Sequence, residues 1–187
     1  METNIIPSQY YNHPYNDTKN CERAVELPLG FNYLNWVTTQ GRKACEIGAV
    51  TPYYQPAAHE VIDPYDDHAN KKAMVEDCDF KGKDVLSIST FEHFGFGDYG
   101  FPVVPNQAIE QLKKIVDECL TCLITWPIGY NKGFDDQVRD SSCFSYFFYE
   151  KISDNPKTWR KTTDKGCFNY KYGPRGNCII CVYKGFV

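Results

Sequence analysis

The chain has 187 residues, of which 42% are hydrophobic and 24% are charged, and its formal net charge is -4. This size and composition are typical of one soluble globular domain and exclude an intrinsically disordered chain. The 20 lysines and arginines are scattered along the sequence, so we expect no basic surface of the kind that binds nucleic acid.

The first residues, "METNIIPSQYYNHPYNDTKN", lack the basic start and the apolar run of a signal peptide. No run approaches the ~18 apolar residues of a membrane span. We therefore expect a cytoplasmic protein without a membrane partner. Residues 1–20 are rich in Tyr, Asn and Pro without a clear period, and we interpret them as an irregular tail ahead of a single domain at residues 21–187.

Nine cysteines are an odd number, which favours free thiols over a disulfide framework in a chain with no export signal. Two C-x-x-C pairs, at Cys119 and Cys122 and at Cys178 and Cys181, also fit a zinc site. Side chains alternate along a strand, however, so the second pair should point to opposite faces. We therefore expect buried thiols and no metal.

Helical periodicity begins at "CERAVELPLGFNYLNWVTTQ", where Pro28 and Gly30 predict a short helix, a break and a second helical turn. Four short apolar segments follow, each ending in acidic or small polar residues: "KACEIGAV", "HEVIDPYD", "AMVEDCDF" and "KDVLSIST". We interpret them as strands. The segment "NQAIEQLKKIVDECL" is then an amphipathic helix, and "TCLITWPIG" is a fifth buried strand.

This succession of strands and connections predicts an α/β fold, with a Rossmann-like, doubly wound and mostly parallel sheet covered on both faces. The last part of the chain differs. The segments "CFSYFFYEKI" and "GNCIICVYKGF" are aromatic and β-branched runs without a helical pattern between them. They predict that the sheet closes with an antiparallel pair, a C-terminal hairpin.

Ligands of open parallel sheets bind beyond the carboxyl ends of the strands. A dinucleotide site would need G-x-G-x-x-G after the first strand, but that loop carries only Gly48, which argues against an NAD-dependent oxidoreductase. A nucleoside without a phosphate still fits. Gly48 allows close backbone approach, and Glu46 suits an ammonium group or an ordered water.

Two further acidic strand ends extend this interpretation. Asp63, at the end of the second strand, can accept both ribose hydroxyls, because a carboxylate has two oxygens and several lone pairs. Asp77 or Asp79 can accept the adenine amino group. Taken singly, such carboxylates are usually solvated loop residues. Their order on consecutive strands favours one ligand laid across the sheet, an adenosine whose 5′ carbon carries a sulfonium.

The segment "SISTFEHFGFGDYG" follows the fourth strand and combines Glu92 and His93 with glycines and aromatic residues. His93 is a candidate general base for methyl transfer to oxygen or nitrogen, with Glu92 as its orienting group or as a contact to the acceptor. The alternative is a purely structural role, in which Glu92 and His93 anchor the loop to the sheet. The glycines and aromatic side chains form either a hinged lid or a static plug.

The sequence resembles the class I S-adenosylmethionine-dependent methyltransferases. "ACEIGAV" is similar to their motif I, "EVIDPYD" to the acidic end of strand two, "EDCDF" to the segment after strand three, and "DVLSISTFEH" to the fourth strand and its loop. More narrowly, "ERAVELPL" and "LSISTFEHFGFGDYG" resemble a group of compact methyltransferase-like proteins, and the similarity extends from about Cys21 onward.

The resemblance implies a seven-stranded sheet with an antiparallel final hairpin, S-adenosylmethionine as cofactor and a small-molecule or sugar-like methyl acceptor. By position it implies that the cofactor-binding residues are Glu46, Gly48, Asp63, Asp77 or Asp79, and Ser89 or Thr90.

The chain departs from the family pattern in two places. Ala49 and Val50 replace the later glycines of motif I, and only "TPYYQPAA" separates the first two strands. Because a crossover helix needs a dozen or more residues, the first helix should be shortened or replaced by an irregular turn. The alternative function is therefore a non-catalytic binding or scaffold module of the same fold that has lost the cofactor.

Overall fold

The computed structural model describes residues 5–7, 21–154, 157–173 and 176–186. Within these ranges eight strands form one sheet, in the order β1-β7-β6-β8-β5-β4-β2-β3. The strands are β1 (Ile5–Pro7), β2 (Ala44–Ile47), β3 (Glu60–Ile62), β4 (Asp84–Ile88), β5 (Thr121–Pro127), β6 (Ser145–Asp154), β7 (Lys157–Thr162) and β8 (Cys178–Lys184). The helices are α1 (Arg23–Thr39), α2 (Gln107–Glu118) and α3 (Lys132–Arg139).

The sheet is parallel in its first part and antiparallel in its last part. Strands β3, β2, β4 and β5 run parallel to one another, and β8, β6, β7 and β1 continue the sheet with antiparallel pairing. The prediction of a mixed α/β fold is confirmed. The antiparallel part extends beyond the predicted closing pair, since β6 forms its hairpin with β7 and β8 inserts between β5 and β6.

One of the strand predictions is wrong, and one strand was not predicted. "AMVEDCDF" contains a 3₁₀ turn at Val75–Asp77, because Val75 and Cys78 are buried three residues apart rather than at alternate positions. Strand β7, "KTWRKT", was missed because only Trp159 carries an apolar signal in a segment of lysines, arginine and threonines. Of the predicted irregular tail, residues 5–7 form β1, and the other residues lie outside the described part of the chain.

Helix α1 is continuous for 17 residues, so the predicted break at Pro28 is absent. Packing outweighs the local preference, because Val25, Tyr33 and Val37 are buried against β4 and its neighbours. Gly30 lets the helix lie close to the sheet, since a Cβ there would stand 2.6 Å from Ile88 Cδ1. Helix α2 lies within the segment predicted for it, whereas α3 was not predicted.

The helices cover both faces of the sheet, as expected for a doubly wound arrangement. Helix α1 packs on one face with Leu86 and Ile179, and α2 and α3 pack on the other with Val85 and Ile180. In the described ranges, no helix is both long and apolar enough to cross a membrane.

Helix α2 offers a test of the core on this second face. Leu112 is fully buried, so Leu112→Ala should lower the free energy of unfolding by ~2–5 kcal/mol through lost apolar burial and the cavity left behind. Its exposed neighbour gives the control, since Lys113→Ala should change the free energy of unfolding by less than ~0.5 kcal/mol. Urea unfolding followed by circular dichroism measures both; equal effects would contradict this packing.

Candidate functional site

A cavity of about 360 Å³ lies at the carboxyl ends of the parallel strands. Its walls come from the loops after β2, β3 and β4, from the start of α1 and from the segment between β4 and α2. A smaller cavity of about 70 Å³ shares part of this wall. The lining residues that the sequence or the chemistry singles out are Arg23, Gly48, Asp63, Ser89, Thr90 and His93.

Gly48 brings the loops after β2 and β4 together. Its φ is +79°, and a Cβ at this position would overlap the Thr90 hydroxyl. Its amide donates to the Ile62 carbonyl at 2.9 Å, which also ties the loop to β3. The next residues form only a 3₁₀ turn, Thr51–Tyr53. The prediction that the first crossover helix is replaced by a short turn is confirmed.

Glu46 is fully buried behind this loop and does not line the cavity. Its carboxylate accepts hydrogen bonds from the amides of Val50 and Thr51, at 3.0 and 2.8 Å, and from the Thr51 hydroxyl. His59 Nε2 lies 2.7 Å from the second oxygen. Sequence reasoning assigned Glu46 to the ligand, whereas in the structure its oxygens shape the loop.

Asp63 lies in the cavity wall, as the sequence predicted. Its Oδ1 accepts from the amides of Tyr65 and Asp66, both at 2.9 Å, which fixes the turn after β3. Its Oδ2 has only a long contact of 3.4 Å from the Ala49 amide. A carboxylate oxygen can accept more than one hydrogen bond, so Oδ2 retains capacity for a ligand.

Asp77 and Asp79 are not in the wall of either cavity. The acidic side chain of this segment that reaches the smaller cavity is Glu76. Gln107 donates to one of its oxygens, and the other oxygen, Oε2, is buried without a partner among the described residues. Sequence reasoning missed Glu76 because it treated a 3₁₀ turn as a strand.

Ser89 and Thr90 both line the cavity. Ser89 has a left-handed backbone, with a φ of +41°, and its hydroxyl donates to Glu26 at 2.8 Å. The Thr90 hydroxyl donates to the Ile88 carbonyl at 3.0 Å. A non-glycine residue with positive φ is uncommon and often marks a functional loop.

Glu26, which sequence reasoning missed, lies behind Ser89 and is fully buried. It also accepts from the Thr125 hydroxyl at 2.9 Å and pairs with Arg23 Nη1 at 2.8 Å. Burial raises the pKa of this carboxyl, and Arg23 acts in the opposite direction. These bonds fix the start of α1 at the ends of β4 and β5.

His93 lines the cavity, and its orienting group is Asp98 rather than Glu92. His93 Nδ1 lies 2.6 Å from Asp98 Oδ2, and the Tyr130 hydroxyl donates to the same oxygen at 2.8 Å. This arrangement favours the tautomer in which Nδ1 carries the proton and Nε2 is the ring acceptor. Spacing could have suggested Asp98, which lies five residues after His93 in the same loop.

Glu92 is 2% exposed and turns into the protein. Its Oε1 is 3.8 Å from His93 Nε2, and its Oε2 is buried without a partner among the described residues. Burial, assisted by the negative charge of Glu26, raises the pKa of Glu92 well above its ordinary value of 4.5. The predicted role of Glu92 as the orienting group is therefore taken by Asp98.

Aromatic side chains surround the mouth of the cavity. Tyr65, Tyr99 and Phe101 are 64%, 75% and 40% exposed, and the rings of Tyr65 and Phe101 are 5.2 Å apart. The three glycines of this loop, Gly95, Gly97 and Gly100, all have positive φ. Trp126 in β5 is buried, and Asn131 caps the start of α3, where its side chain accepts from the Phe134 amide.

All nine cysteines are free thiols. Cys178 packs on the α2 and α3 face and Cys181 on the α1 face, as strand alternation predicted. Within the ranges that the structure describes, no group of three or more His, Cys, Asp or Glu side chains could hold a metal ion.

Comparison of the chain with protein-family models, with curated proteins and with solved structures gives no match. Any function assigned to the cavity therefore depends on the chemistry of its lining residues.

The raised pKa of Glu92 predicts how stability changes with pH. The folded protein holds this proton more tightly than the unfolded chain does, so the stabilisation is complete below the ordinary pKa of 4.5 and is lost as pH rises through the folded pKa. Glu92→Gln stays neutral. We expect its free energy of unfolding to rise relative to wild type between pH 5 and pH 8.

Urea unfolding of both proteins across this pH range measures the difference. Glu110→Gln, at an exposed position of α2, is the control and should show a constant difference from wild type. A pH-independent difference for Glu92→Gln would show that Glu92 is ionised throughout.

Proposed function

We propose that the protein is an S-adenosylmethionine-dependent methyltransferase that acts on a small-molecule or sugar-like acceptor, with a fold of the class I methyltransferase type. The observation that carries the proposal is the placement of Gly48 and Asp63 in one cavity, at the carboxyl ends of the adjacent parallel strands β2 and β3. The glycine allows a nucleoside to lie close to the backbone, and the carboxylate one strand away can accept its ribose hydroxyls.

Two acidic groups support the nucleoside end of the site. Asp63 Oδ2 has acceptor capacity for ribose hydroxyls. Glu76 Oε2 is a buried acceptor without a partner among the described residues, and such an atom costs about 1–3 kcal/mol unless a donor reaches it. The amino group of adenine is a donor of the required kind. We assign Glu76 to it in place of Asp77 or Asp79.

The same cavity is poorly suited to a phosphate. Phosphates bind where a helix N-terminus or a run of glycine amides faces the ligand. Here the loop after β2 leads into one 3₁₀ turn, and its Val50 and Thr51 amides are already bonded to Glu46. Asp63 and Asp66 in the wall add negative charge. These features favour a ligand without a pyrophosphate.

S-adenosylmethionine would supply a methyl group on a positively charged sulfur. The protein would contribute a base that removes a proton from the acceptor hydroxyl or amine. His93 has the required position in the wall, and Asp98 holds its Nδ1 proton so that Nε2 is the accepting atom. Asp98 would also stabilise the imidazolium once the proton has transferred.

The first experiment is isothermal titration with S-adenosylhomocysteine. Asp63→Asn should weaken binding about 10- to 100-fold, because the amide keeps the Oδ1 acceptor of the turn but replaces the second carboxylate oxygen by a donor. Asp79→Asn is the matched control, since Asp79 lies outside the cavity wall and should leave the affinity within about threefold. Absence of binding to folded wild type would favour the non-catalytic module instead.

A second experiment tests the base once screening has found an acceptor. His93→Gln should lower kcat roughly 100- to 10,000-fold, since positioned acid–base groups contribute rate factors of this size. Affinity for S-adenosylhomocysteine should change little. Loss of cofactor affinity with unchanged kcat would assign His93 to binding rather than to proton transfer.

A further inference from the structure

Arg23 is the only Lys or Arg among the described residues that line the cavity. It is the first residue of α1, and its side chain is 11% exposed. A permanently charged guanidinium in a wall that also contains Asp63 and Asp66 is a specific anchor for one anionic group of a ligand.

The sheet order fixes the place of Arg23 relative to the nucleoside end. From the edge inward the strands are β3, β2, β4 and β5. Asp63 follows β3, Gly48 follows β2 and Ser89 follows β4. Because Glu26 binds Ser89 and Thr125, the first turn of α1 is held at the β4 and β5 side. Arg23 therefore stands across Gly48 from Asp63.

The guanidinium still has donors to offer. Its Nη1 pairs with Glu26 at 2.8 Å, and its Nε is buried without a partner among the described residues. A guanidinium has five N–H donors in a planar fork, which suits a carboxylate better than any other side chain does. Glu26 thus fixes the group at one donor and leaves others for a second carboxylate.

We propose that Arg23 binds the carboxylate of the amino-acid part of S-adenosylmethionine. The inference rests on the proposed function and deepens it. A ligand whose ribose lies at Asp63 and which runs along the strand ends past Gly48 brings its amino-acid part to the β4 side, where Arg23 is the only permanent cation in the described wall.

A purely structural role for Arg23 makes a different prediction. Three carboxylates lie around it, Glu22, Glu26 and Glu92, and all are buried. In that case Arg23 would only neutralise them, and its removal would affect every ligand of the cavity equally. The two roles can be distinguished by comparing ligands with and without the carboxylate.

The experiment compares S-adenosylhomocysteine with its decarboxylated analogue, which keeps the adenosine, the sulfur and the amino group. Isothermal titration measures both affinities for wild type, for Glu26→Gln and for the double variant Arg23→Gln/Glu26→Gln. The double variant avoids leaving the Glu26 charge buried without its partner, and the amide introduced by Glu26→Gln keeps an acceptor oxygen for Ser89 and Thr125. Thermal unfolding confirms that each variant is folded.

We expect wild type and Glu26→Gln to bind S-adenosylhomocysteine about 10- to 100-fold more tightly than the analogue. In the double variant this preference should fall to within about threefold, with an affinity for the analogue close to that of Glu26→Gln. A preference that survives in the double variant, or equal losses for both ligands, would overturn the role of Arg23. Binding of neither ligand by wild type would instead overturn the proposed function itself, and this inference with it.

Discussion

The buried carboxylate of Glu26 is the interaction on which the geometry of the cavity depends. It accepts from Ser89 at the end of β4 and from Thr125 in β5, and it pairs with Arg23. One side chain therefore joins α1 to two strand ends and holds a cation at the cavity wall. Burying a carboxylate is costly unless hydrogen bonds and an opposite charge compensate it. Removal of any one partner would leave the others in an unfavourable environment.

Glu46 plays the corresponding part in the loop after β2. It binds two amides, a hydroxyl and His59, and so replaces the crossover helix that usually follows this strand. A helix at this point would present unpaired amides and a positive dipole to the ligand. The 3₁₀ turn does not, because its first amides are already bonded to Glu46. The loop is therefore compatible with a nucleoside and unfavourable for a pyrophosphate.

The sequence predicted the parts of the fold that have a strong period or a strong strand signal. Helix α2 and the buried strands β4 and β5 are of this kind, and the closing β6 and β8 are aromatic and β-branched. The prediction failed where tertiary packing outweighs local preference, as at Pro28 in α1, and where one buried side chain supports a strand, as Trp159 does in β7. Strand ends could be placed from sequence, but strand partners could not.

The candidate site was predictable to the same extent. Gly48, Asp63, Ser89, Thr90 and His93 follow strands whose ends meet at one edge, so their convergence follows from topology. Glu26 and Arg23 could not be assigned from sequence alone, because their roles arise from contacts that only the folded chain creates. Glu46 shows the reverse case, in which an acidic residue at the expected position serves the loop and does not face the cavity.

The charges around the cavity bear on the relative binding of substrate and product in the proposed reaction. Asp63 and Asp66 lie in its wall, and Arg23 is the only permanent cation among the described lining residues, so the two aspartates favour positive charge in a ligand. S-adenosylmethionine carries a sulfonium charge that S-adenosylhomocysteine lacks. If Arg23 takes the carboxylate of both, this contact adds equally to their affinities and cannot distinguish substrate from product. The surrounding carboxylates can, because their attraction for the sulfonium disappears when the methyl group leaves. In the proposed reaction, the same acidic wall that disfavours a phosphate would bind the product less tightly than S-adenosylmethionine.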